Sequence, residues 1–152
     1  MGGWSDRLAE LGITLPDVAK PVAAYVPAVR SGSHVYTSGQ LPFVDGSLAA
    51  TGKVGGEIAP EEAKRHARTC VLNALAAVHS LVGIDSVVRI VKVVGFVASA
   101  EGFTGQPAVV NGASELLGEV FGDAGAHARS AVGVAELPLG APVEVELVVE
   151  VG

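Results

Sequence analysis

The chain has 152 residues, 49% of them hydrophobic and 17% charged, with a net charge of −6 and a mean hydropathy of +0.48. At this length a single folding unit with a sizeable core is expected, and an acidic chain whose only basic cluster is the mixed turn "EEAKRHAR" is a poor nucleic-acid partner. Arg89, Lys92 and Glu101 interrupt the greasiest stretch, so no window reaches the roughly 18 uninterrupted apolar residues of a membrane-spanning helix. The opening "MGGWSDRLAELG" mixes charges of both signs and has no apolar run with a cleavage site, unlike a secretory signal, so a cytoplasmic location is the expectation. Cys70 is the lone cysteine and cannot form an intramolecular disulfide; its place on the apolar face of a helix reads as a small core residue.

In chain order, "WSDRLAELGI" predicts a short amphipathic helix with Ser5 as its cap, and "TLPDVAKPVAAYVP" an extended, proline-rich arm. Residues 1–20 are thus expected to form a helix and arm ahead of a single domain over 21–152. Two β-prone runs, 24–30 and 34–40, flank Gly32 as a hairpin. "DGSLAATGKVGGE" reads as a flexible glycine-rich loop. Pro60, Glu61 and Glu62 open a helix whose apolar stripe runs from Ala63 through Cys70, Val71 and Leu75 to Val82, where Gly83 stops it. "SVVRIVKVVGFVASA" is apolar on both alternating faces, as in a strand buried on both sides. A second helix carries Val109, Val110, Ala113, Leu116, Leu117 and Val120 on one stripe, and two final strands, 127–136 and 142–151, flank "LPLGAP".

The order ββαβαββ predicts an α+β fold with two helices on one face of a sheet. Two helices cover only that face, and the strand at 87–98 is apolar on both, so the other face calls for another subunit; a homo-oligomer accounts for the high hydropathy. His34, His66, His79 and His127 have no ligand spacing, so no metal is expected, and the chain has neither a P-loop nor a dinucleotide fingerprint. Ser38 in "YTSGQ" lies outside any G-x-S-x-G pattern. Arg129 is the conspicuous residue: it shares a strand face with Ala131, Gly133 and Ala135, whose small side chains leave room before a guanidinium. Such a cation suits a carboxylate ligand, with Glu144 and Glu146 on the partner strand to neutralise it or act as acid–base groups. An internal salt bridge or an exposed strand-end charge is the plainer alternative.

The segments "YVPAVRSGSHVYTSGQLP" and "ARSAVGVAELPLGAPVEVELV", in this order and spacing, resemble the YjgF/RidA family of reactive-intermediate deaminases, known earlier as L-PSP-type endoribonucleases; the likeness covers about residues 21–151. It implies a chorismate-mutase-like fold and a homotrimer whose sheets form an inner barrel, with sites in clefts between subunits. By the same resemblance Arg129 holds a substrate carboxylate, Glu144 holds or activates a water, and Tyr25, Ser38, Gly39 and Asn111 line the cleft. Ala131 stands where deaminase members commonly carry cysteine, two residues after the arginine; a backbone N–H contact would survive that change. The longer N-terminal arm resembles a divergent branch of the family.

The activity so implied is hydrolysis of a 2-aminoacrylate-type enamine, through its imine, to a 2-keto acid and ammonia, with no cofactor. A glutamate beside an arginine stays ionised, which suits a base. The alternative is a non-catalytic trimer that binds small carboxylates or regulates a partner through the same pocket. RNA cleavage fits poorly with an acidic chain that lacks a basic patch with interleaved aromatics.

Overall fold

The computed structural model of the chain describes residues 3–18 and 24–152. Part of the expected arm, residues 19–23, lies outside them. The helix α1 (Trp4–Glu10) begins after Gly3 and not at a Ser5 cap. Ser5 instead donates its backbone N–H (2.8 Å) and hydroxyl (2.6 Å) to the carboxylate of Asp85, so an acidic group far along the chain satisfies an orphan donor of the helix start. Trp4 fixes the other side, with its indole N–H 2.7 Å from the Val87 carbonyl and its ring edge-on to Phe121 at 5.0 Å.

The hairpin is shorter than its β-prone sequence: β1 (Ala28–Ser31) and β2 (His34–Thr37) pair across Gly32, which takes the left-handed backbone that glycine tolerates. Inside the expected flexible loop, β3 (Phe43–Val44) and β4 (Ser47–Leu48) form a small hairpin. Asp45 and Gly46, both at positive φ, supply its turn, a D-G signal the glycine-rich reading passed over. The following "GKVGGE" is also pinned: Val54 is fully buried, and its N–H and C=O bond to Ala98 and Ala100. Burial of Val54 and Ile58, together with the bonds from Gly55, Gly56 and Ile58 within the turn, holds the loop although glycines surround it.

Helix α2 (Pro60–Val82) starts with proline and two glutamates, as its dipole favours, and ends at Gly83. Strand β5 (Val87–Ala98) follows, then α3 (Gln106–Phe121), β6 (Ala128–Val134) and β7 (Val143–Val151). Their sheet runs β1-β2-β7-β5-β6. Both long helices pack on one face of it, burying Val35, Ile90, Val93, Val97 and the alternate residues Val143, Val145, Leu147, Val149 and Val151 of β7. This is the α+β architecture with two helices on one face that the element order predicts.

The end of the chain differs from expectation. Strands β6 and β7 are not neighbours, because β5 lies between them, parallel to β6 and antiparallel to β7. The segment between them therefore crosses over β5, turning through Pro138–Gly140 with Leu139 and Gly140 at positive φ. Glu144 and Glu146 are not cross-strand neighbours of Arg129, whose register partner is Val93. The long apolar β5 is suited to the interior place between them, since it can pair along both edges, and β6 is left at the edge of the sheet.

Candidate functional site

Arg129 sits on β6, the sheet edge, on the face that bears the helices: its register partner Val93 is fully buried there, as is Val97 opposite Gly133. Period-two geometry sends its side chain toward α3. There Nη1 donates to Asn111 Oδ1 at 2.7 Å and to Ser114 Oγ at 3.2 Å, and Nη2 to the Pro107 carbonyl at 3.4 Å. Every acceptor is neutral. Among the described residues no carboxylate lies within ion-pair distance of Arg129 and its Nε–H makes no hydrogen bond, so neither the internal salt bridge nor the loose strand-end charge describes it. A half-buried cation held by neutral groups, with donors to spare, has the chemistry to accept an anionic partner. Asn111 and Arg129, singled out separately in the sequence, meet directly.

The room expected before the guanidinium is partly taken. Ala131 packs against the core, and a side chain at Gly133 would meet Gln106 Nε2 and Ser99 Oγ within 2.9 Å. The small residues of β6 serve first to let α3 come close.

Two residues of this cluster escaped the sequence reading. Ser114 lies three residues after Asn111, one helical turn along the same face. His127 lies two before Arg129, and its Nε2 is 2.9 Å from Ser114 Oγ while its Nδ1 is 2.6 Å from the Gly125 carbonyl. Screening the histidines for metal spacing alone hid a histidine that bonds a serine.

Ser38, Gly39 and Glu144 lie elsewhere, with Tyr25 on the segment just before the residues that Ser38 bonds. Ser38 bonds back to the segment after Tyr25, its N–H to Pro27 O at 2.8 Å and its hydroxyl to Val26 O at 2.6 Å. Tyr25 itself is 54% exposed. Gly39 leaves space that the Glu144 carboxylate occupies: a Cβ there would fall 2.7 Å from Oε2. On β7, Glu144 points away from the helices, opposite Phe96 of β5, with Glu146 two residues on. Burial, and secondarily the Glu146 charge, hold its carboxyl above the usual carboxylate range. This reverses the expectation of a glutamate kept ionised by Arg129: within one chain the two lie on opposite faces of the sheet, two strands apart.

Among the described residues no group of three or more His, Cys, Asp or Glu side chains is placed to hold a metal ion, and no helix is long and apolar enough to cross a membrane. Burial pushes the Cys70 thiol well above its ordinary value, which leaves it a packing residue.

A sequence model of the endoribonuclease L-PSP family matches residues 16–151. The chain belongs to this YjgF/RidA family. It is 45% identical over 151 residues to Protein TCP17 of Trypanosoma cruzi, covering 98% of this chain and 94% of that one. The crystal structure of Atu1372 from Agrobacterium tumefaciens is 44% identical, with a TM-score of 0.90 over 98% of this chain and 92% of that one. The YjgF gene product of Escherichia coli is 28% identical, with a TM-score of 0.67 over 88% and 93%. The YjgF/RidA fold thus extends over the body of the chain, and the likeness to Atu1372 takes in the N-terminal arm as well.

Proposed function

We propose that this YjgF/RidA protein hydrolyses small 2-imino carboxylates to 2-keto acids and ammonia in a cleft shared between copies of the chain in a homotrimer. The observation that carries this reading is Arg129, a half-buried guanidinium oriented by three neutral acceptors, with no carboxylate within ion-pair distance among the described residues. It would clamp the substrate carboxylate with its unused N–H groups. Asn111, and the backbone and small side chain of Ala131, would form the wall beside it.

The second half of the chemistry needs a base. Glu144, with Gly39 against it and Ser38 next along the chain, forms a second cluster that cannot face Arg129 within one chain, and Tyr25 would line it from the segment that Ser38 bonds. Exposed Val29, Tyr36, Val88 and Val132 leave the face bearing Glu144 without an apolar cover. A second copy docked there would bring its β6 edge, and with it Arg129, toward the Glu144 cluster.

In the resulting cleft Glu144 accepts a proton from water as the oxygen attacks the imine carbon. The C=N π electrons move to nitrogen, which takes that proton back from Glu144; as the carbinolamine collapses, its hydroxyl proton passes by way of Glu144 to the departing nitrogen, the C–N bond breaks, the C=O forms and ammonia leaves. A carboxyl held above its usual range is the stronger base once ionised, and fixing both reactants supplies most of the remaining effect. No cofactor takes part in these steps. RNA cleavage, the activity in the family's name, would require the anionic backbone to approach a chain of net charge −6.

The test is ammonia and keto-acid release from an imino acid generated in situ by an amino-acid oxidase, for the parent and for Arg129→Ala. Acceleration that the variant loses supports the reading. No acceleration, with retained binding of a small carboxylate, would point to a binding-only trimer.

A further inference from the structure

We propose that His127 and Ser114 form a positioning relay that sets the direction of the Arg129 guanidinium and so selects which of its N–H groups stay open to an anion; the proposal rests on the reading of Arg129 as a carboxylate anchor. The hydrogen bonds run in one sense along the whole chain. The Gly125 carbonyl can only accept, so the His127 nitrogen 2.6 Å from it, Nδ1, carries a hydrogen. In the neutral ring Nε2 is then an acceptor, and the Ser114 hydroxyl 2.9 Å away donates to it. That turns the lone pairs of Ser114 Oγ toward Arg129 Nη1 at 3.2 Å.

Asn111 Oδ1 takes the other Nη1 hydrogen, at 2.7 Å, and the Pro107 carbonyl takes one on Nη2. What remains is Nε–H and one Nη2–H, donors enough for a two-point grip on a carboxylate. The start of the relay is rigid, because Gly125 packs so closely on α3 that any Cβ would collide with the Leu117 carbonyl. His34, Arg89 and Glu150 line the same shallow groove as His127, yet among the described residues none of them bonds its ring. The imidazole is thus engaged by Gly125 and Ser114.

Without His127, the Ser114 hydroxyl loses its acceptor and is free to turn its hydrogen toward Asn111 Oδ1, competing with Arg129 for that oxygen. The guanidinium then has no single preferred orientation, and a ligand must spend part of its binding energy restoring one.

The experiment is calorimetric binding of pyruvate, a 2-keto acid of the product class, to the full chain and to Arg129→Ala, His127→Phe, Ser114→Ala, Ser114→Thr and the His127→Phe/Ser114→Ala double variant, with thermal melting followed in parallel. Arg129→Ala is expected to lose measurable binding. His127→Phe and Ser114→Ala should each weaken it about five-fold, the net contribution of one hydrogen bond. The double variant should be no weaker than either single one, since both interrupt the same relay, and Ser114→Thr, which keeps the hydroxyl, should stay within two-fold of the parent.

Losses that multiply in the double variant, or Ser114→Ala binding as tightly as the parent, would overturn the relay while leaving the anchor standing. If Arg129→Ala binds pyruvate like the parent, or the parent does not bind it, the anchor reading falls and the relay with it.

Discussion

Asn111 keeps Arg129 an open cation, because a neutral amide oxygen orients the guanidinium without neutralising it. Asn111→Asp puts a carboxylate at the same 2.7 Å position and makes the internal ion pair that the native chain avoids. We expect it to cut the rate with imino acids at least ten-fold while leaving the melting temperature unchanged or higher, a pairing that separates a quenched anchor from a damaged fold. Glu144 carries a second prediction. Its native pKa lies above the unfolded value near 4.5, so between the two the folded state holds a proton that the unfolded state has released. Its contribution to stability therefore falls as pH rises through that window and stays low above it. Glu144→Gln removes the effect: melting curves of variant and parent should coincide at about pH 4 and separate toward neutrality, with the variant higher. A gap that stays closed would mean that a cation from outside the chain neutralises the carboxylate.

Helix α3 carries Pro107, Asn111 and Ser114 to Arg129, and its seat depends on how closely it lies on α2. Gly112, beside Asn111, is where they touch: a Cβ there would run into the backbone carbonyl of Lys64, which cannot swing away as a side chain could. Gly112→Ala gains helix propensity but forces the helices apart. We expect a net loss of about 2 kcal/mol in chemical denaturation, together with weakened carboxylate binding as Asn111 shifts. A variant as stable as the parent would show that the α2–α3 contact yields easily.

For the whole molecule, the open sheet face bears Val29, Tyr36, Val88 and Val132, each between 44% and 50% exposed, around the Glu144 carboxylate, which burial already holds above its usual range. Such a face suits a partner copy better than water. Light scattering should give three times the 15.3 kDa chain mass. Val132→Glu, across from Phe96 on that face, should shift the protein to the single-chain mass and abolish the proposed ammonia release with it, since each cleft of the proposed trimer would lose half of its residues. A variant that dissociates yet keeps full activity would show that one chain holds a complete site.

The sequence by itself determined the main elements: the stripe of α2, the apolar run of β5 and the alternation of β7 are periodic patterns that each segment carries alone, and the end of α2 at Gly83 follows from local backbone preference. It also pointed to Arg129, because a guanidinium among small apolar residues is conspicuous without any neighbour in view. Strand order was left to the tertiary structure. Adjacency in sequence suggested that β6 and β7 pair, but pairing is a competition among all strands, and β5, apolar enough to be flanked on both edges, separates them. From that one fact follows the separation of Arg129 from Glu144 within one chain, while burial and the neighbouring Glu146 raise the glutamate's pKa. His127 and Ser114 were illegible for a similar reason: each looks ordinary in its own segment, and only the packing of α3 against β6 brings hydroxyl, imidazole and guanidinium within bonding distance.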